Sequence, residues 1–360
     1  MVWAERTPEE AMRLAWVDVA KGLCILLVVM MHATLGTGEA MGGEGVLHAV
    51  VAFAKPFRIP DFFLLSGLFL GRVIDRDWRL FADRRVVHFA YFYGLWVVIQ
   101  SLVKYGKIVG DAGPGAFLAH LAGALVEPYA TLWFIYLLAV FSVVTKLLRR
   151  LPGPVLLAGA ALLQIVPVET PSYLLEEFCA RYVYFVAGYL FAPRIFALAD
   201  LARRRPAAAS AGLAAWAVIE GWLAFAPSGL PGFRTLASLP GLSLVLGGAG
   251  ALAIVAAASL LTRLGGPLTG ALRACGQRSI VIYLGFFLPM AATRTLIAKA
   301  GLIADVGLAS LVVTGVAVAA PLAFERLIRG TALAFLFRRP RALHIAAGAE
   351  RPARPVLQPA

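Results

Sequence analysis

Ionisable side chains set inside apolar runs are the residues of this chain best placed to do chemistry. The stretch 16–36 reads WVDVAKGLCILLVVMMHATLG and carries Asp18, Lys21 and His32. At about 100° per residue on a helix, Lys21 and His32 are eleven steps apart, or three turns plus ~20°. Asp18 and His32 are fourteen steps apart, within ~40° of whole turns. All three therefore share one face, and the opposite face is aliphatic. Histidine exchanges a proton near neutral pH, which suits a general base. Lys21 lies ~16 Å along the axis from His32, too far to touch it but able to meet an anionic group. A local Asp18–Lys21 ion pair at the interface and a hydrogen-bonded packing histidine are the competing readings.

A second cluster lies in 46–70, VLHAVVAFAKPFRIPDFFLLSGLFL. Lys55, Arg58 and Asp61 surround Pro56 and Pro60. Two prolines four apart break helical hydrogen bonds. Irregular backbone at membrane depth is tolerated only when buried in protein or lining a watery cavity. The segment is thus expected to be broken or re-entrant and to carry charge to a site, with a plain structural kink as the alternative. Glu177 and Arg181 are spaced to pair on one helix face. Glu220 is another acid in an apolar run. Cys24, Cys179 and Cys275 read as small buried hydrophobes, and no His, Cys or Asp group has the spacing of a metal site. His48, His88, His120 and His344 receive no role.

The elements that position these residues are membrane helices. The chain is 61% apolar and 15% charged, with a mean hydropathy of +0.82. Apolar runs long enough to cross ~30 Å of hydrocarbon recur throughout. Candidate spans are 14–35, 46–70, 86–102, 131–148, 154–168, 173–196, 206–225, 239–261, 279–297 and 302–328. The fold class is all-α, a polytopic membrane protein with about ten transmembrane helices and cytoplasmic N- and C-termini. Residues 1–13 form a short cytoplasmic segment too acidic for a secretory leader, 14–328 the membrane domain, and 329–360 a basic cytoplasmic tail, unstructured beyond Phe337. No internal repeat or domain boundary is visible.

The positions of the basic residues support this topology. With the N-terminus inside, 24 of the 33 Lys and Arg residues fall on the cytoplasmic side, five outside and four within spans. The net charge of +13 is thereby explained without a nucleic-acid partner.

Several segments together resemble acyltransferase family 3, a family of integral membrane proteins. Lys21 followed by His32 resembles its first-helix signature, in which an Arg usually stands at the Lys21 position. FRIPDFFLLSGLF resembles its Pro-containing second signature. TLWFIYLLAVF, RYVYFVAGYL and GQRSIVIYLGFF resemble later motifs. A His that the family often shows after the Tyr-Leu of the ninth helix is missing, and Phe286 and its neighbours fill that stretch.

The resemblance implies transfer of an acyl group, commonly acetyl, from cytoplasmic acyl-CoA to a hydroxyl of an extracytoplasmic glycan or lipid-linked sugar. His32, Arg58 and Asp61 are then the expected catalytic residues. Asp18, Lys21, Lys55, Trp133, Arg181 and Tyr283 are expected to bind the donor or substrate. Acyl-CoA (acetyl-CoA) is a co-substrate, with no bound cofactor or metal expected. The expected location is the bacterial inner membrane. A transporter or flippase of a glycan or lipid is the alternative, since a broken helix and buried charge suit it too. A structural subunit would explain the topology but not the charged stripe.

Overall fold

In the computed structural model, the described residues are 8–110, 113–166 and 168–346. They form α-helices joined by short turns, with no strand among them beyond one isolated bridge between Pro227 and Thr235. The helices are α1 (Pro8–Met41), α2 (Val46–Ala54), α3 (Pro60–Gly67), α4 (Trp78–Ala82), α5 (His88–Val103), α6 (Tyr105–Val109), α7 (Pro114–Gly123), α8 (Trp133–Leu147), α9 (Gly153–Ile165), α10 (Tyr173–Leu190), α11 (Ala192–Arg204), α12 (Pro206–Phe225), α13 (Pro240–Leu264), α14 (Gly266–Gln277), α15 (Ser279–Gly285), α16 (Phe287–Ala300) and α17 (Val306–Ile328). The molecule is an all-α, multi-pass membrane protein.

The count of spans needs refinement. Six helical stretches are long and apolar enough to cross a bilayer unbroken. Two more spans are bent pairs: α10 with α11 turns by 75°, and α15 with α16 by 52°. The remaining two expected spans are the interrupted pair α2–α3 and the 13-residue α9, each too short to count as a continuous span. The first bend follows from Pro193 at the start of α11, because proline cannot donate to the preceding turn.

The chain also divides, which the sequence did not suggest. Among the described residues, one compact unit holds 8–70 and 150–331; the other holds 71–149 and 332–346. In the second unit, α4 passes into α5 through a π-turn at Asp83–Val87. Here the expectation of an unstructured tail is corrected. Residues 332–346 dock on α4 and α5. The Tyr91 hydroxyl donates to Phe335 O at 2.9 Å, and Trp96 Nε1 donates to Leu336 O at 3.0 Å. Arg339 Nη2 donates to Asp83 Oδ2 at 2.8 Å, and the Ile345 N–H to Asp83 Oδ1 at 2.8 Å. An Arg/Pro/Ala composition reads as loose chain, but a carboxylate and two aromatic rings on α4–α5 capture it. Residues 347–360 of the tail lie outside the described residues.

In the first unit, glycine sets how closely the site-bearing helices approach. A Cβ on Gly67 of α3 would strike the Phe185 carbonyl of α10, and one on Gly188 of α10 would strike the Leu64 carbonyl of α3. The two backbones touch because neither residue carries a side chain. The same device joins α1 to α14: a Cβ on Gly22 would strike the Leu272 carbonyl, and one on Gly276 the Asp18 carbonyl. A core of Trp16, Val19, Ala20, Cys24, Phe57, Leu64, Leu65, Val255 and Ala258 fills the space between α1, α3 and α13. Burial of such side chains contributes roughly 1.5–3 kcal/mol each for the larger ones.

Candidate active site

The polar face of α1 is the spine of the site. At its N-terminal end Asp18 is buried. Its Oδ2 accepts from Gln277 Nε2 at 3.0 Å and lies 4.0 Å from Arg273 Nε. Both partners belong to the α14 region, which the Gly22–Gly276 contact holds against α1. Lys21 follows, with its ammonium 5.7 Å from the centre of the Phe69 ring.

Midway along α1 the broken second span arrives. Pro56 and Pro60 lack the N–H that a continuous helix needs, so 55–59 are turns and α3 restarts with Pro60 in its first position. Within the break the Arg58 N–H still reaches Ala54 O at 2.9 Å, and the Asp61 N–H reaches Phe57 O at 2.9 Å. This directs Arg58 and Asp61 into the protein. Asp61 is wholly buried, and its polar neighbours are the Cys24 thiol, the Phe62 N–H and the Arg58 guanidinium. Neither carboxylate oxygen makes a hydrogen bond of good geometry. Arg58 Nη1 donates to Val51 O at 3.1 Å, while its buried Nε has no acceptor. Arg181 and Asp61 are the charges that bear on Arg58. Arg181 itself pairs with Glu177, Nε to Oε2 at 3.1 Å.

His32 stands nearer the C-terminal end of α1. Its ring lies 5.5 Å from that of Phe286, tilted by 32°, and Arg58 is the cation whose field reaches it. Phe286 sits at the break between α15 and α16. An apolar ring there shields one side of the imidazole.

His32, Arg58, Asp61 and Arg181 thus belong to one cluster in the first unit, with Asp18 and Lys21 on the same helix face towards its N-terminus. Lys55 is exposed at the break. Trp133 starts α8 in the second unit. Tyr283 is buried on α15, three residues ahead of Phe286. The sequence reading missed Gln277 and Arg273 as partners of Asp18 and Cys24 as the neighbour of Asp61. Gln277 lies 259 positions from Asp18, and no local pattern could have paired them.

Residues 14–326 match the family model described as an acyltransferase domain. Inner membrane protein YcfT of Escherichia coli (strain K12) is 27% identical over 204 residues, which is 50% of this chain and 57% of the E. coli protein. The match therefore spans little more than half of that relative's length. No solved structure matches the chain.

Proposed function

For a chain that belongs to acyltransferase family 3, as this one does, we propose an integral membrane O-acyltransferase of the bacterial inner membrane. It moves an acyl group, in the first instance acetyl, from cytoplasmic acyl-CoA to a hydroxyl of an extracytoplasmic glycan or lipid-linked sugar. The observation that carries this reading is the convergence of His32 on the α1 stripe with Arg58 from the break between α2 and α3.

The chemistry runs as follows. His32 accepts the proton of the acceptor hydroxyl as its oxygen attacks the thioester carbon. The new C–O bond forms, the C–S bond breaks, and the departing thiolate takes the proton back from the imidazolium. Arg58 supplies positive charge to the carbonyl oxygen as it becomes an oxyanion. Asp61 acts on Arg58 as the buried counter-charge that holds it inward. Lys21, ~16 Å from His32 and towards the cytoplasmic end of α1, meets a phosphate of the donor. The pantetheine arm then follows the polar stripe and brings the thioester to His32. Arg181 adds charge beside Arg58.

The test uses purified protein, labelled acetyl-CoA and an extract of envelope glycans and lipids. Label appearing on the extract, or acceptor-stimulated release of CoA, is the expected result. Arg58→Ala should abolish it while the variant inserts and purifies as the parent does. Absence of any CoA release across the extract would return the chain to the transporter reading.

A further inference from the structure

One helical turn beyond His32, on the same face of α1, stands Gly36. Four residues rotate a helix by about 400°, so the two lie within ~40° and ~6 Å of one another along the axis. The place of the missing side chain is occupied from another helix. The Arg294 guanidinium of α16 lies against Gly36, where an added Cβ would strike Nη1 and sit 3.3 Å from Cζ. The bent pair α15–α16 therefore addresses α1 twice, with Phe286 against the His32 ring and Arg294 above it. Arg294 is half-buried. Among the described residues no carboxylate pairs with it, and Glu39, the nearest acid along α1, is exposed.

A guanidinium beside the candidate base, with no carboxylate to neutralise it, is suited to a planar anion that it can grip with two N–H groups. We propose that Arg294 recognises a carboxylate or phosphate on the acceptor, next to the hydroxyl that His32 deprotonates. This rests on the acyltransferase reading for the identity of that hydroxyl, and it deepens it: the acceptor is an anionic saccharide. Gly36 serves the same end by leaving room for the guanidinium. A headgroup phosphate of the surrounding leaflet offers the same chemistry and must be separated from the acceptor.

The experiment measures binding of octyl glucuronide and of neutral octyl glucoside to the full chain in maltoside detergent, without acyl donor. The parent protein should bind the glucuronide at least tenfold more tightly. Arg294→Gln should level the two affinities, Arg294→Lys should keep part of the preference, and Gly36→Ala, which displaces the guanidinium without removing its charge, should reduce it. Equal affinities in the parent, or a preference surviving in Arg294→Gln, would overturn the proposal. Nanodiscs of phosphatidylcholine with and without phosphatidylglycerol form the second arm. If Arg294→Gln loses association with phosphatidylglycerol while its glucuronide preference is untouched, the guanidinium belongs to the lipid and the proposal fails. Because binding needs no turnover, the two readings separate. A glucuronide preference without CoA release sinks acyl transfer alone, and CoA release without preference sinks the anionic acceptor alone.

Discussion

Lys146 and Asp83 of the second compact unit differ from Arg58 and Asp61 of the first in how their buried charge is met. In the second, Lys146 is almost wholly buried, and every need of its ammonium is met. It donates to Ile74 O at 2.6 Å and Arg76 O at 2.7 Å, and it lies 4.9 Å from the Trp78 ring and 4.6 Å from the Phe81 ring. Asp83 is equally well served by Arg339 and the Ile345 N–H. In the first unit, Asp61 has no well-formed hydrogen bond and Arg58 keeps an orphan N–H. A buried polar group without a partner costs about 1–3 kcal/mol, more when charged. A protein tolerates that cost where a ligand completes the set.

The contrast can be broken in four places. The largest effect is expected at His32. His32→Ala should lower the transfer rate by roughly 10²–10⁴-fold, the usual contribution of a positioned acid–base group. Acyl-CoA affinity and thermal stability should stay near those of the parent. A variant that keeps its rate would remove His32 from the chemistry. Lys146→Met should show the reverse pattern. Two carbonyls lose their donor, so about 2–4 kcal/mol of stability is expected to go, and a melting curve unchanged in detergent would refute the scaffold role.

Gly276→Ala comes next. The added methyl meets the Asp18 carbonyl, and overpacking of this kind costs about 1–3 kcal/mol. Donor affinity should fall with it, because Asp18 and Lys21 move with the crossing. A normal donor Kd in a folded variant would uncouple α14 from the site. The smallest effect is expected for Lys21→Arg, which keeps the charge. Its rate should stay within roughly twofold of the parent, well under the 1.4 kcal/mol that a tenfold change represents. Lys21→Ala should weaken donor binding first, and normal binding with lost turnover would contradict the division of labour along α1.

What the sequence disclosed follows from how local each feature is. The α1 stripe needs only 3.6 residues per turn, so Asp18, Lys21 and His32 could be aligned on paper. Pro56 and Pro60 announced the break between α2 and α3 by their own chemistry. The 52° bend at Phe286 carries the same mark, since Pro289 cannot donate to the Gly285 carbonyl four residues back, where α15 ends. Contacts distant in the chain were hidden: Gln277 for Asp18, Cys24 for Asp61, Arg294 for Gly36. The docking of 332–346 was misread because composition reports what a segment would do alone, and here Asp83, Tyr91 and Trp96 hold it.

The Asp83 carboxylate also has a history within each molecule's making. Asp83 and Arg339 are 256 positions apart. At about 5–20 residues per second of synthesis, roughly 13 to 50 s separate the two on the ribosome. Asp83 reaches the membrane as an orphan acid, and the second unit closes only when the end of the chain emerges. A nascent chain that stalls before Arg339 leaves the Asp83 carboxylate without its guanidinium partner, so completion of this unit waits on the last stretch of its own synthesis.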